Sequence, residues 1–328
     1  MLVSASRVGL RRWVPALGVL MAWTALASAG EIAYVTNQPG ESLAVIALPE
    51  LTLQATIAIG GKPAGVAVSA DAQRVYVTSP DSKQLTVLTT DPPVILARIA
   101  LGGGPLGVAV HPDGKTVYVA DWYEHRVFVI DSVALAVTAE IPTGQSPSGV
   151  AVTPDGALLL SADRDSNQVS IFATSDNRLI GTVKTGERPF GVSVTPDGKH
   201  AMTADVGSNS VTVIDLEQRA VIASVAVGDR PYAIAFARGK VFVTNQYAGT
   251  VSVFDQRSFA QVATLEVGEY PEGISASADG SAIYVANWFD NTLVRIDTES
   301  LALTGEVNTG NGPRAFGQFI ASPATPSE

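Results

Sequence analysis

Short runs of five or six apolar and β-branched residues alternate with clusters of Gly, Pro, Asp, Asn and Ser along most of the chain. In the stretch that begins at Pro105 the runs are Leu106–Val110, Thr116–Ala120, Arg126–Ile130 and Ala136–Ile141. Each has the length and composition of a β-strand, and no helical period competes with them. His111-Pro112-Asp113-Gly114 and Thr195-Pro196-Asp197-Gly198 join first and second runs; Pro presets φ and Gly accepts positive φ, so these are hairpin turns. The pattern returns with a proline, one variable residue and a small residue at Pro63, Pro105, Pro147, Pro189, Pro231, Pro271 and Pro313, spaced by 42 residues with a single interval of 40. The short interval falls where Ala237-Arg238-Gly239-Lys240 replaces a longer turn, so the deletion lies in a loop. A fixed period of this size predicts a repeat architecture.

Runs such as Val117-Tyr118-Val119-Ala120 and Val127-Phe128-Val129-Ile130 are apolar on both faces, which predicts sheets covered on both sides. Four-stranded antiparallel sheets of this kind, repeated at this period, describe the blades of an all-β, seven-bladed β-propeller. Closure follows from the ends of the chain. Before Pro63 stand three runs, Ile32–Thr36, Leu43–Leu48 and Gln54–Ile59, and after Pro313 stands one, Arg314–Ile320. Together they complete a seventh blade through a 3+1 strand clasp between the termini. The propeller is expected over 30–320, with a disordered tail over 321–328. Residues 1–29 read as a signal peptide: Arg7, Arg11 and Arg12 precede an apolar run from Trp13 to Leu26, and Ala27-Ser28-Ala29 supplies a small-residue cleavage site. The run is short for a membrane span, so no span is expected after cleavage, and the compartment is periplasmic or secreted.

Charge narrows the partners. Without the leader the chain carries 18 basic residues against 31 acidic ones, which argues against nucleic acid and anionic membranes. Cysteine is absent, so disulfides, thiolate metal sites, c-type haem attachment and a Cys nucleophile are excluded.

The second-run signatures Ala33-Tyr34-Val35-Thr36-Asn37, Val75-Tyr76-Val77-Thr78, Val117-Tyr118-Val119-Ala120-Asp121, Val241-Phe242-Val243-Thr244-Asn245 and Ile283-Tyr284-Val285-Ala286-Asn287 resemble the YVTN-family β-propeller repeat. So do the Pro-Asp-Gly-Lys turns at Pro112 and Pro196 and the Val-Ile-Asp endings at Asp131 and Asp215. The resemblance covers the whole mature chain. It departs at Ser79, Asp121, Asp163 and Asp205, where the repeat favours Asn, and at Leu160 and Met202, where it favours an aromatic. It implies an exported propeller, with quinoprotein-associated proteins among the relatives. Pyrroloquinoline quinone or a partner-borne quinone is therefore the alternative to having no cofactor.

Antiparallel topology puts the Pro-x-Gly loops and the loops between second and third strands on one face, opposite the Pro-Asp-Gly turns. The first face varies more between repeats and is the expected binding face. At the channel mouth Lys62, Arg164, Arg188, Arg230, Tyr232 and Arg314 form the candidate site for a small anionic ligand; the competing reading is a set of solvated rim charges. Farther from the axis, Trp122, Tyr123, Gln246, Tyr247, Trp288 and Phe289 form a candidate patch for a protein partner, against a reading as blade-to-blade packing. Adjacent aromatics on one strand point to opposite sides, which favours the interaction reading for Trp288-Phe289. Asp121, Asp163 and Asp205 end the second strands of three consecutive blades. They are a weak alternative metal set, against a turn-holding role that Asn fills equally well. His125 beside Glu124 is the one histidine placed for acid–base work. The expected function is a periplasmic binding or scaffolding propeller, monomeric and non-catalytic, engaging an anionic ligand or a periplasmic protein, with the resemblance implying an accessory role in quinone-linked oxidation. The alternatives are a lactonase-like hydrolase using His125 and Glu124, the large subunit of a quinoprotein dehydrogenase, or a structural cell-surface array.

Overall fold

The computed structural model describes residues 30–322 apart from residues 70 and 72. The signal peptide expected over 1–29 and the tail beyond residue 322 lie outside the described residues. Seven four-stranded sheets, six of them with their strands in consecutive order and the seventh joining both ends of the chain, are arranged as the blades of a propeller. In the Pro105 blade the strands are Pro105–Val110, Thr116–Asp121, Arg126–Asp131 and Ala136–Pro142, within a residue of the sequence reading at each end. No helix among the described residues is long and apolar enough to cross a membrane.

The clasp forms as expected but is less regular. Ile32–Asn37, Ser42–Ala47 and Thr52–Ala58 pair in order, and Ile320–Ala321 joins the first of them through Ile32↔Ala321 and Ala33↔Ile320. The expected strand Arg314–Ile320 is continuous only at its end; upstream, the Arg314 amide donates to Thr36 O (2.7 Å) and the Tyr34 amide to Phe319 O (2.8 Å). A like irregularity recurs in five other blades: in the Pro105 blade the register shifts between Pro105 and Val108 as the chain passes the proline, which brings no N–H to the ladder. Ala321 belongs to the ladder rather than to the tail, and the Ser322 hydroxyl donates to Glu31 Oε1 at 2.8 Å.

Burial on both faces holds for the three inner strands and fails for the outermost. Val117, Tyr118, Val119 and Ala120 are fully buried, whereas Arg178–Lys184 is largely exposed. Blades radiate from the axis, so neighbouring sheets separate at the rim and water enters. The core lies between blades: Met202, Val211 and Val213 pack against Ile234, Val241 and Phe254 of the next sheet. Each such side chain contributes about 1.5–3 kcal/mol on burial.

At the axis the innermost strands approach so closely that a Cβ at Gly65 or Gly107 would overlap the carbonyl oxygen of Leu106 or Ser148 in the next blade. At Gly149 it would lie 2.8 Å from Phe190 O. The small residue of each Pro-x-Gly is thus a packing requirement between blades.

Two side-chain devices fix the loops of the Pro-x-Gly face. In four blades the residue ending the second strand bonds the loop arriving from the previous blade: Asp121 accepts from the Gly104 amide (2.7 Å) and Asp163 from the Gly144 amide (3.0 Å), while Asn37 and Asn287 donate to Thr309 O and Val267 O (2.9 and 2.7 Å). In three blades a left-handed Asn at the end of the second-to-third-strand loop then clamps the loop 21 residues ahead. The side chains of Asn167, Asn209 and Asn291 accept from the amides of Arg188, Arg230 and Gly312 at 2.8–2.9 Å.

Burial pushes the Asp205 carboxyl up to about 6, although Thr203, Thr212 and Ser210 donate to it. A carboxyl whose folded value exceeds its unfolded one near 3.8 binds its proton more tightly in the fold. Its contribution is favourable in acid and is lost as pH rises from about 4 through about 6. Asp205→Asn restores the residue found at Asn245, whose amide donates to Thr250 and Ser252 at the positions equivalent to Ser210 and Thr212. It should therefore raise stability at pH 7.5 by roughly 1–3 kcal/mol and leave it nearly unchanged at pH 4. Paired thermal melts at the two pH values check this; a variant that melts lower at pH 7.5 refutes it.

Candidate functional site

The variable residues Phe190 and Tyr232 of two Pro-x-Gly segments meet at the axis with Phe316, which follows the last such segment, and the ring centroids lie 4.5–5.3 Å apart. All three are buried, together with Leu106 and Glu272, so this end of the channel is filled. A vestibule of about 360 Å³ lies behind them, lined by Val110, Val152, Val194 and Phe236 and extending to Pro154 and Pro196 of the opposite turns. The axial channel therefore opens on the Pro-Asp-Gly face. The sequence reading places a channel mouth on the other face because strand order says which loops share a face but not how large side chains fill the axis.

The polar groups at this end form one network of four expected residues, Arg230, Tyr232, Gln246 and Arg314, and two others, Gln38 and Glu272. The Arg314 Nε lies 3.1 Å from Glu272 Oε2 and donates to the Tyr232 hydroxyl at 2.8 Å; Nη1 donates to Gln38 Oε1 at 3.1 Å. Gln246 donates to Glu272 Oε1 at 2.6 Å and accepts from Arg230 Nε at 2.7 Å. Burial pushes the Glu272 carboxyl up, opposed by Arg314 and Gln246. Burial likewise raises the Tyr232 phenol, with Arg314 working against the shift. Lys62, Arg164 and Arg188 stand apart from this network. Lys62 faces Asp81 at 3.7 Å, Arg164 binds Asp165 at 2.6 Å and lies over the Trp122 ring, and Arg188 is exposed. Acids accompany the cations throughout, with Glu187 beside Arg188 and Asp229 beside Arg230 in sequence. Glu272 is the residue that the sequence reading undervalues: its signal is a carboxylate at a position where five other segments carry Ala, Leu, Ser, Phe or Tyr and the last carries Arg314.

The aromatic residues divide into two groups. Trp122 faces the axis, 6.1 Å from Phe190, rather than lying farther out. Tyr247, Trp288 and Phe289 surround Tyr270, with centroid separations from it of 5.7, 5.7 and 5.0 Å. Trp288 and Phe289 stack on each other at 5.5 Å and 15°, contrary to the alternation argument, because both lie in the turn after the strand Ala282–Asn287. Tyr270 precedes Pro271 with φ 62°, a left-handed conformation that is costly for a bulky residue. Tyr123, Tyr247 and Phe289 are 68%, 59% and 62% exposed on this face.

The three aspartates are fully buried in their own blades, each occupied with its own loop or strand neighbours, and no group of three His, Asp or Glu residues placed for a metal ion occurs among the described residues. Asp121 accepts additionally from the Tyr123 amide and from Arg126 Nε, and Asp163 from Ser161 and Ser170. His125 is exposed and left-handed at φ 56°, and its Nδ1 accepts from the Ser146 amide at 3.0 Å. It occupies the place of Asn167, Asn209 and Asn291, and its partner is again 21 residues ahead. Glu124 is exposed beside it. His125→Asn should keep the melting temperature within about 1 °C, whereas His125→Ala loses the bond and adds left-handed strain, costing about 1–2 kcal/mol or roughly 2–4 °C. Equal melting of the two variants in a thermal scan would contradict a clamping role.

The sequence matches the YNCE-like β-propeller family over residues 129–323 and the NHL repeat over 103–130. It is similar to the YncE proteins of Salmonella typhi and Salmonella typhimurium, both uncharacterised, at 39% identity over 49 residues. That aligned stretch spans 15% of this chain and 14% of those relatives. Among solved structures, hydrazine synthase of Kuenenia stuttgartiensis superposes with a TM-score of 0.71 at 20% identity, over 78% of this chain and 89% of that one. A functionally unknown protein from Desulfotomaculum acetoxidans superposes with a TM-score of 0.75 at 19% identity, over 88% and 99%. At such identities these likenesses concern the fold alone. The family match takes in more than half of the sequence and the sheets that it spans are propeller blades, so the chain belongs to the YNCE-like β-propeller family.

Proposed function

We propose that this chain is an exported binding propeller that docks a protein partner on its Pro-x-Gly face. The observation that carries the reading is the exposure of the aromatic side chains of Tyr123, Tyr247 and Phe289 on one face. Exposed aromatic groups clustered on one face mark interaction surfaces, and rings anchor interfaces at small entropic cost. The filled axis supports a broad contact over a small anionic ligand, because Arg314 is neutralised by Glu272 and no channel mouth opens between the arginines. Clamps that hold each loop to its neighbour keep this surface preorganised, which limits the ordering cost of binding.

A photo-crosslinking p-benzoylphenylalanine at Phe289 or Tyr247, introduced in the intact expressing cell, should give discrete adducts of defined mass. The same group at Val133, which is 76% exposed beyond the third strand on the opposite face, should give none. Absence of adducts at the aromatic positions, or identical adducts at all three, overturns the reading.

A further inference from the structure

On the same face, the junction between the Pro231 and Pro271 blades holds an open cleft of about 600 Å³. Its walls include Tyr247, Tyr270 and Phe289, and the carboxylate residues Glu266 and Glu269 line it as well. Both glutamates are exposed, and neither forms a salt bridge among the described residues. The neighbouring Asp290 is occupied, its Oδ2 accepting from the Glu269 amide at 2.6 Å. Aromatic faces carry negative quadrupole potential, and carboxylates at their edge add net negative charge; together they attract a cation and offer nothing to an anion. One ring already behaves in this way, since the Arg230 guanidinium lies 4.7 Å from the Tyr247 centroid. The charge of the whole chain acts in the same direction, because acidic residues outnumber basic ones and steer cations toward the surface.

We infer that this cleft is a recognition site for a cationic nitrogen, either a lysine or arginine side chain presented by a partner or a free alkylammonium ion. The inference rests on the docking face proposed above and specifies the chemistry of the group that enters it. The rings stack on the substituents of the cation, while Glu266 and Glu269 balance its charge. Arg230 is then an internal competitor for Tyr247, and the face selects against the anionic ligand that its arginines first suggest.

The test uses the mature protein at low ionic strength, where charge attraction is least screened. Choline and the peptide acetyl-Gly-Lys-Gly-amide are titrated by calorimetry, with 3,3-dimethylbutan-1-ol as the neutral isostere of choline. Choline, the peptide or both should bind at least about tenfold more tightly than the isostere. Paired Glu266→Gln and Glu269→Gln substitutions should weaken that binding by about five- to tenfold, as should Phe289→Ala. Arg230→Ala should tighten it by a factor of about two to five by releasing the Tyr247 face. Thermal melts establish that each variant is folded. Equal affinity for the neutral isostere, no binding of either cation, or loss of binding in Arg230→Ala overturns the inference. Choline bound with the peptide excluded upholds a cation site for a small metabolite and removes a partner's cationic side chain as its occupant. Crosslinks at Phe289 with neither cation bound leave docking in place and remove the cation site.

Discussion

The structure depends on how closely seven innermost strands can approach around a common axis. At Gly65, Gly107 and Gly149 a neighbouring carbonyl occupies the space of a Cβ, and only Gly or Ala appears at the equivalent positions of the other blades. A larger residue would force two blades apart, and in a closed ring that displacement is passed to every other interface. The proline two residues earlier works with this constraint: it interrupts the ladder and lets the chain turn from the rim to the axis before regular pairing begins.

Once the inner strands are fixed, the loops above them are held by their neighbours rather than by themselves. Asp121 and Asp163 bond the backbone of the loop entering their own blade, and the left-handed His125, Asn167 and Asn209 bond the backbone of the next blade's entry loop. Asp can only accept and Asn can also donate, so Asp121 captures an amide where Asn287 captures a carbonyl, and the same loop path is maintained by different chemistry. This is why carboxylates and a histidine that resemble a metal or catalytic set in sequence are absorbed into loop architecture. The residue types are right for chemistry, but their polar atoms are already committed.

The filled axis changes the character of the decorated face. A buried Arg314–Glu272 pair pays its desolvation only with good geometry and further hydrogen bonds, which Tyr232, Gln38 and Gln246 provide. With that charge neutralised and Phe190, Tyr232 and Phe316 packed beside it, binding potential moves outward to the rings around Tyr270. The open vestibule on the opposite face is lined by valines and carries little directional chemistry.

Period, strand number and hairpin turns were legible in the amino-acid order, because each is set by contacts within about 42 residues and by turn chemistry that repeats, and the contribution of both termini to one blade followed from counting the runs at the two ends. The face that carries the variable loops was legible for the same reason, as strand alternation alone decides it. What only the tertiary structure decided was the pairing of side chains across blades. Arg314 meets Tyr232 from 82 residues away, and Gln246 meets Glu272 across a blade boundary. A charge neutralised by a partner on another blade looks identical in sequence to a free one, and ring closure, which brings the last blade to the first, has no local signature beyond the matching of its ends.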